Sequence, residues 1–294
     1  MKIRKHSNGN EYIFSGGVWV RNFTKTKIKS IQLSHMFEKE DFDTIIKNEQ
    51  LNKTFPLICD EILHFKKIVI VSDGFDFEKK QKILSYIPKD VCILAINRSL
   101  HKWKLLSPSI PVEDRRPINA YVVNNPYEKA NSYLPDKFSQ YYPTCVASIR
   151  SNNDFLKKYK GNVYVYRPSF ELNFGKESSD RYTIDDYRNP ICACIGLAYQ
   201  FGVEKLLLFC CDDSFEEKRE DSVLLSNGLY TYKPLLKSYD IVDANLYWLK
   251  NFSKEKIHVV NHSSGADYKN ASYINEKEIS SFFADDSEGV NYEQ

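Results

Sequence analysis

Seven short apolar runs constrain this chain more than any other feature. They are KKIVIV from Lys66, VCILAI from Val91, NAYVV from Asn119, CVASI from Cys145, NVYVYR from Asn162, KLLLFCC from Lys205 and IHVV from Ile257. Each is rich in Val, Ile, Cys or Tyr, and none alternates apolar with polar residues. A strand buried on both faces reads this way, and such strands belong to parallel sheets. The stretches between them carry helical signals. NPICACIGLAYQFG is a small-residue helix that stops at Gly202, a C-cap residue. SYDIVDANLYWLKNF is amphipathic, with Ile241, Ala244, Asn245 and Trp248 near one face and Leu249 and Phe252 beside it. FEKKQKILSYI and NEKEISSFF read as further helices. Strands alternating with helices predict an α/β fold, a mostly parallel sheet with helices on both faces.

The first 64 residues look different. EYIF, Ser15-Gly16-Gly17 and VWVRNF predict a β-hairpin, and HMFEKEDFDTIIKNEQL predicts a helix. The expected division is an accessory segment over 1–64, the sheet domain over 65–284 and a polar tail over 285–294.

Composition narrows the class. Hydrophobic residues make up 42% and aromatics 14%, which excludes general disorder. A net charge of +2 gives no whole-chain footprint for nucleic acid, although it leaves room for a local basic face. The seven cysteines lie mostly inside apolar runs and form no CxxC pair, so they are expected to be reduced core residues of a cytoplasmic protein. No stretch approaches the roughly 20 apolar residues of a membrane span. The basic start MKIRKHSNGNEY lacks the apolar core of a secretory signal.

In parallel sheets, ligands bind beyond the carboxyl ends of the strands. The residues standing there are Ser72-Asp73-Gly74, Asn97-Arg98-Ser99, Asn124-Asn125-Pro126, Asp212-Asp213 and Asn261 to Gly265. Asparagine joins a donor and an acceptor on a short side chain, which suits ribose hydroxyls, phosphate oxygens and base edges. A glycine turn leading into a helix offers backbone N–H groups to phosphate. The same residue types also build ordinary turns and helix caps. Asp213 could bind Mg²⁺ or act as a base, as could Asp212 with less weight. His262 could be a general base near neutral pH. Arg98 and Arg188 could neutralise a pyrophosphate. Neither GxGxxG nor GxxxxGK[ST] occurs.

The order SDGF, AINRS, VVNNPY and NPICACIGLAYQFGVEKLLLFCCDDSF resembles a Rossmann-like transferase group. That group includes bacterial sialyltransferases of the family-42 type, motility-accessory-factor glycosyltransferases and archaeal hydroxymethylpterin pyrophosphokinase-like proteins. The resemblance spans roughly residues 66 to 283. It implies that Asn97 and Asn125 contact the nucleotide's phosphate and ribose beside Ser72 and Gly74, with Asn189 and Pro190 at a helix start near the nucleotide. The chain departs from the group at three places. Asp73 stands where the glycine turn has a neutral residue, so a phosphate there needs a cation to offset the repulsion. YTYKPLLKSYD lacks the histidine that the sialyltransferases carry before the long helix. The phosphate-holding tyrosines have only Tyr230 and Tyr232 as nearest counterparts.

Three functions remain open. The first is a nucleotide-sugar-dependent glycosyltransferase acting on a hydroxyl of a small molecule, glycan or DNA, with Asp73, Asp213 or His262 as catalytic groups. The second is a pyrophosphokinase-like enzyme using ATP, with Mg²⁺ on Asp73 and Asp213. The third is a nucleotide binder that has lost the chemistry.

Overall fold

The computed structural model describes residues 2–5, 11–15, 18–22, 39–58, 65–105, 107, 110–134, 142–168, 183–184, 186, 189–212, 214–218, 220, 222–225, 228–253, 256–265 and 268–284. Two compact units divide after Lys47. The first holds a three-stranded antiparallel sheet in the order β1 (Lys2–Lys5), β2 (Glu11–Ser15) and β3 (Val18–Asn22). The expected hairpin is β2–β3, and its glycine turn lies outside the described residues. Helix α1 (Lys39–Asn52) follows.

The second unit is built on a nine-stranded parallel sheet. Its longer strands are β4 (Lys67–Val71), β5 (Cys92–Ile96), β6 (Ala120–Val123), β7 (Thr144–Ser148), β8 (Val163–Pro168), β10 (Lys205–Phe209) and β14 (His258–His262). These are the seven apolar runs. Two-residue strands close the edges, β9 (Thr183–Ile184) beside β8 and β15 (Ser272–Tyr273) beside β14. The order is β15-β14-β10-β4-β5-β6-β7-β8-β9. From β4 the chain winds outward to β9, then returns to place β10 on the other side of β4. The order therefore reverses between β4 and β10, the position at which open α/β sheets hold ligands.

The strands are apolar on both sides because both sides are covered. Ile68 and Ile70 enter one cluster while Val69 and Val71 enter the other. Helix α4 (Pro190–Gln200) covers the first face through Ile191, Cys192 and Ile195. Helix α5 (Lys233–Phe252) joins it through Val242, Leu246 and Leu249. That stripe is rotated from the expected one: Trp248 is exposed and stacks on Phe252. The second face takes Phe77 of α2 (Phe77–Lys80), Phe155 of α3 (Asn153–Lys158) and Phe283 of α6 (Ile279–Phe283). FEKKQKILSYI is mostly 3-10: α2 gives way to a 3-10 turn over Gln81–Tyr86. Gly202 has φ 64 just past α4, as its role at a helix end requires. A small antiparallel sheet, β11 (Ser214–Phe215), β13 (Tyr230–Tyr232) and β12 (Ser222–Leu224), sits beyond β10. No described helix is long and apolar enough to cross a membrane.

Residues 48–58, expected in the accessory segment, belong to the sheet unit. Ile58 enters its core, and Leu57 bridges to Val165. Asn48 and Asn52 reach the loops after β6 and β7. Asn48 Nδ2 donates to Pro126 O at 2.9 Å. Asn52 Nδ2 donates to Ile149 O at 2.9 Å and Ser151 O at 2.7 Å, while Asn52 Oδ1 accepts from Asn153 Nδ2 at 2.7 Å.

The six described cysteines are buried and free. Burial pushes the thiols of Cys92, Cys145, Cys194, Cys210 and Cys211 up, so they are neutral core residues.

Candidate functional site

Three non-glycine residues have positive φ among those described: Asp76 at 66°, Asn97 at 53° and Cys210 at 50°. They stand in the loops after β4, β5 and β10, the strands on either side of the reversal. Left-handed backbone costs a residue with a Cβ, and such strain persists where the surroundings enforce it.

Asp212 joins the loops at the β4–β10 crossing. This buried carboxylate accepts from Phe75 N at 3.0 Å, Ser214 Oγ at 2.9 Å and Gly265 N at 2.9 Å. It thereby ties together the loops after β4, β10 and β14. Gly74 donates its N–H to Cys210 O at 3.1 Å, and a Cβ on it would collide with the Cys210 and Asp212 carbonyls. Gly74 is required for close approach of two loops. Its N–H and that of Phe75 are engaged within the protein, which corrects the expectation of a glycine turn open to phosphate. Asp212 acts as a structural clamp. Asp213 lies outside the described residues, as does Arg188.

A second group gathers over β4, β5 and β6. Asp73 is mostly buried and pairs with Lys102, with Oδ2 3.5 Å from Nζ. Lys102 thus offsets the charge of this carboxylate. Asp73 does not cap α2; the residue in that position is Asp76, which makes no side-chain cap bond. Asn97 is half-buried, and its side-chain amide has no hydrogen bond among the described residues. Its carbonyl accepts from Tyr121 Oη at 3.0 Å. Burial pushes the Tyr121 phenol up, and Cys145, Tyr133 and Asp73 add to the effect. Asp73, Asn97, Tyr121 and Tyr133 therefore share one neighbourhood. Arg98 is exposed beside them, and Ser72 is buried at the end of β4.

Two expected ligand contacts serve the fold instead. Asn125 Oδ1 accepts from Tyr127 N at 2.9 Å and its Nδ2 donates to Tyr133 Oη at 3.3 Å, closing its own turn. Asn189 caps α4, accepting from Ile191 N at 2.8 Å. The neighbour of Asn125, Asn124, is 8% exposed, and its Nδ2 is buried with no hydrogen-bond partner among the described residues. A lone buried amide donor is costly unless something else accepts from it. The resemblance points to Asn125 rather than Asn124, and only the turn shows that Asn125 is used by the fold. Lys102 and Tyr133 were missed because their loops carry no motif.

His262, at the end of β14, stands apart from this group. Its Nδ1–H donates to Ile274 O at 2.8 Å, so Nε2 is the acceptor nitrogen of the neutral ring, and it is buried with no partner among the described residues. The ring stacks on Phe209 and lies near Tyr273. Burial lowers its pKa. The Ile274 hydrogen bond opposes that shift, nearby Lys80 deepens it and Glu276 offsets it. The unfolded chain then binds a proton more readily than the folded one. His262 therefore contributes stability that is fully present above its ordinary pKa of 6.5 and is lost as pH falls through the lower folded value. The expected result is a urea midpoint that drops more steeply between pH 7 and pH 5 in the parent than in His262→Gln. Parallel pH profiles would refute it.

Among the described residues no group of three or more His, Cys, Asp or Glu side chains could hold a metal ion. Asp73 has an ammonium for a neighbour and Asp212 has three donors, so these carboxylates do not fit a divalent cation. Searches of family models, curated proteins and solved structures brought no match to this chain.

Proposed function

We propose that the chain is a nucleotide-dependent transferase, with a nucleotide sugar as donor, whose site spans the carboxyl ends of β4, β5 and β6. The observation that carries this reading is the placement of strained backbone at the reversal of strand order. Asp76 and Cys210 carry positive φ in the loops flanking it, and Asn97 does so after β5, the next strand. Chemistry at the same edge supports it. Asn97 and Asn124 offer amides, and Lys102 and Arg98 offer positive charge to a diphosphate. Asp73 is the base in reach of that charge. The acceptor hydroxyl oxygen bonds to the anomeric carbon as its proton passes to Asp73. The bond from that carbon to the diphosphate oxygen breaks, and its electron pair leaves with the nucleoside diphosphate, whose charge Lys102 and Arg98 offset. No step requires a metal.

The test is a thermal-shift screen of nucleoside diphosphates, nucleotide sugars and ATP, with and without Mg²⁺, followed by product analysis of each hit. A ligand at 100 times its Kd stabilises the fold by about 2.7 kcal/mol. A nucleotide-sugar hit with release of nucleoside diphosphate is expected. Lys102→Gln is expected to weaken that hit about tenfold, the scale of one charge-assisted hydrogen bond. Asp73→Asn is expected to keep binding and lower turnover by about 10²-fold or more. Turnover of ATP to AMP, or binding without turnover of any donor, would overturn the glycosyl-transfer reading. Unchanged kinetics in both variants would remove Asp73 and Lys102 from the site.

A further inference from the structure

The N-terminal unit carries a feature that the transferase reading does not use. In an antiparallel sheet, directly paired residues share a face, as do residues two apart along one strand. The register pairs Lys2 with Phe14 and Arg4 with Tyr12. It then pairs Phe14 with Trp19 and Tyr12 with Arg21. One face therefore holds two complete rows, Lys2–Phe14–Trp19 and Arg4–Tyr12–Arg21. The opposite face holds the aliphatic row Ile3–Ile13–Val20 and the row Lys5–Glu11–Asn22. The sole acidic residue of the three strands, Glu11, falls on that opposite face.

We propose that the face bearing Lys2, Arg4, Tyr12, Phe14, Trp19 and Arg21 binds single-stranded nucleic acid. The register leaves the Ile3–Ile13–Val20 row on the opposite face of the sheet. The other face joins three aromatics to three cations with no acid among them. Exposed bases stack on aromatic rings, and the phosphates between them need positive charge at short intervals. Cations set directly across from aromatic residues match that alternation. A duplex hides the base faces, so it matches the cations alone. An acidic glycan matches the charge but offers no base to stack.

The experiment uses the full chain and fluorescein-labelled dT15 and rU15, read by anisotropy over a range of salt. Binding that weakens with salt is expected, and a preference between the two strands would name the natural ligand. Trp19→Ala is expected to weaken binding about tenfold, the scale of losing one stacked base. Arg4→Gln/Arg21→Gln is expected to reduce the salt slope by about 1.4, two single-strand phosphates' worth. Trp19→Phe keeps a ring and is expected to bind nearly as the parent. Circular dichroism and thermal melts accompany each variant. If Trp19→Ala disrupts the fold, the arginine pair and Trp19→Phe decide. The proposal fails if neither strand binds at low salt, if the arginine variant binds as the parent does, or if duplex DNA or heparin binds as tightly as the single strands.

Discussion

Asp212→Ala is expected to lower the unfolding free energy by about 3–5 kcal/mol, because three donors lose one shared acceptor and each buried orphan costs roughly 1–3 kcal/mol. The donors are the N–H groups of Phe75 and Gly265 and the hydroxyl of Ser214. Water entering the gap would recover part of the loss, so the estimate lies below the full sum. Asp212→Asn keeps the shape but replaces one acceptor oxygen with a donor, facing an N–H or a hydroxyl that already donates. It is expected to recover only part of the loss. Gly74→Ala attacks the same joint from the other side, since its methyl would overlap the carbonyls of Cys210 and Asp212. Urea unfolding of the three variants checks the set. A change in Asp212→Ala of under about 1 kcal/mol, no more than a single net hydrogen bond, would show that the three loops hold together without the carboxylate.

Asn52→Leu is expected to cost about 3 kcal/mol or more, although leucine is nearly isosteric and more apolar. Asn52 is fully buried, and its amide satisfies Ile149 O, Ser151 O and Asn153 Nδ2 at once. Leucine would take from all three polar groups the partner they have in this buried site. The loss should appear as a lower urea midpoint. Protection of the loop amides after β7 from hydrogen exchange should fall in parallel. An Asn52→Leu protein as stable as the parent would mean that this asparagine cluster follows the fold and does not hold it.

Much of the sheet was legible because its strands are buried on both faces and so read as continuous apolar runs. KIVIV and KLLLF need no partner in view to be recognised. The edge strands were not legible. β9 and β15 are two residues each, too short for any pattern, and exist because a neighbouring strand offers them a ladder. The α5 helix was seen but its buried stripe was misplaced, since Trp248 is apolar yet lies on the outer side. Within the candidate site, sequence placed Ser72, Asp73, Asn97 and Asn124 just past the carboxyl ends of β4, β5 and β6, where the structure has them. It could not say which polar residues the fold would use for itself. Gly74, Asn125, Asn189 and Asp212 are all engaged internally, while Asn97 and Asn124 keep amide groups in reserve. That allocation depends on loop geometry, which one-dimensional patterns do not encode.

β4 lies inside the sheet, and synthesis delivers its two neighbours at different times. One side of β4 pairs with β5, which emerges soon after it. The other side waits for β10, and the clamp between their loops joins Phe75 to Asp212, 137 residues apart. At about 5–20 residues per second, that interval is roughly 7–30 s on the ribosome. Throughout it, KIVIV presents an unsatisfied ladder edge and two apolar faces to whatever is nearby. A strand with four of its five residues buried in the finished sheet thus spends that interval with one edge unpaired.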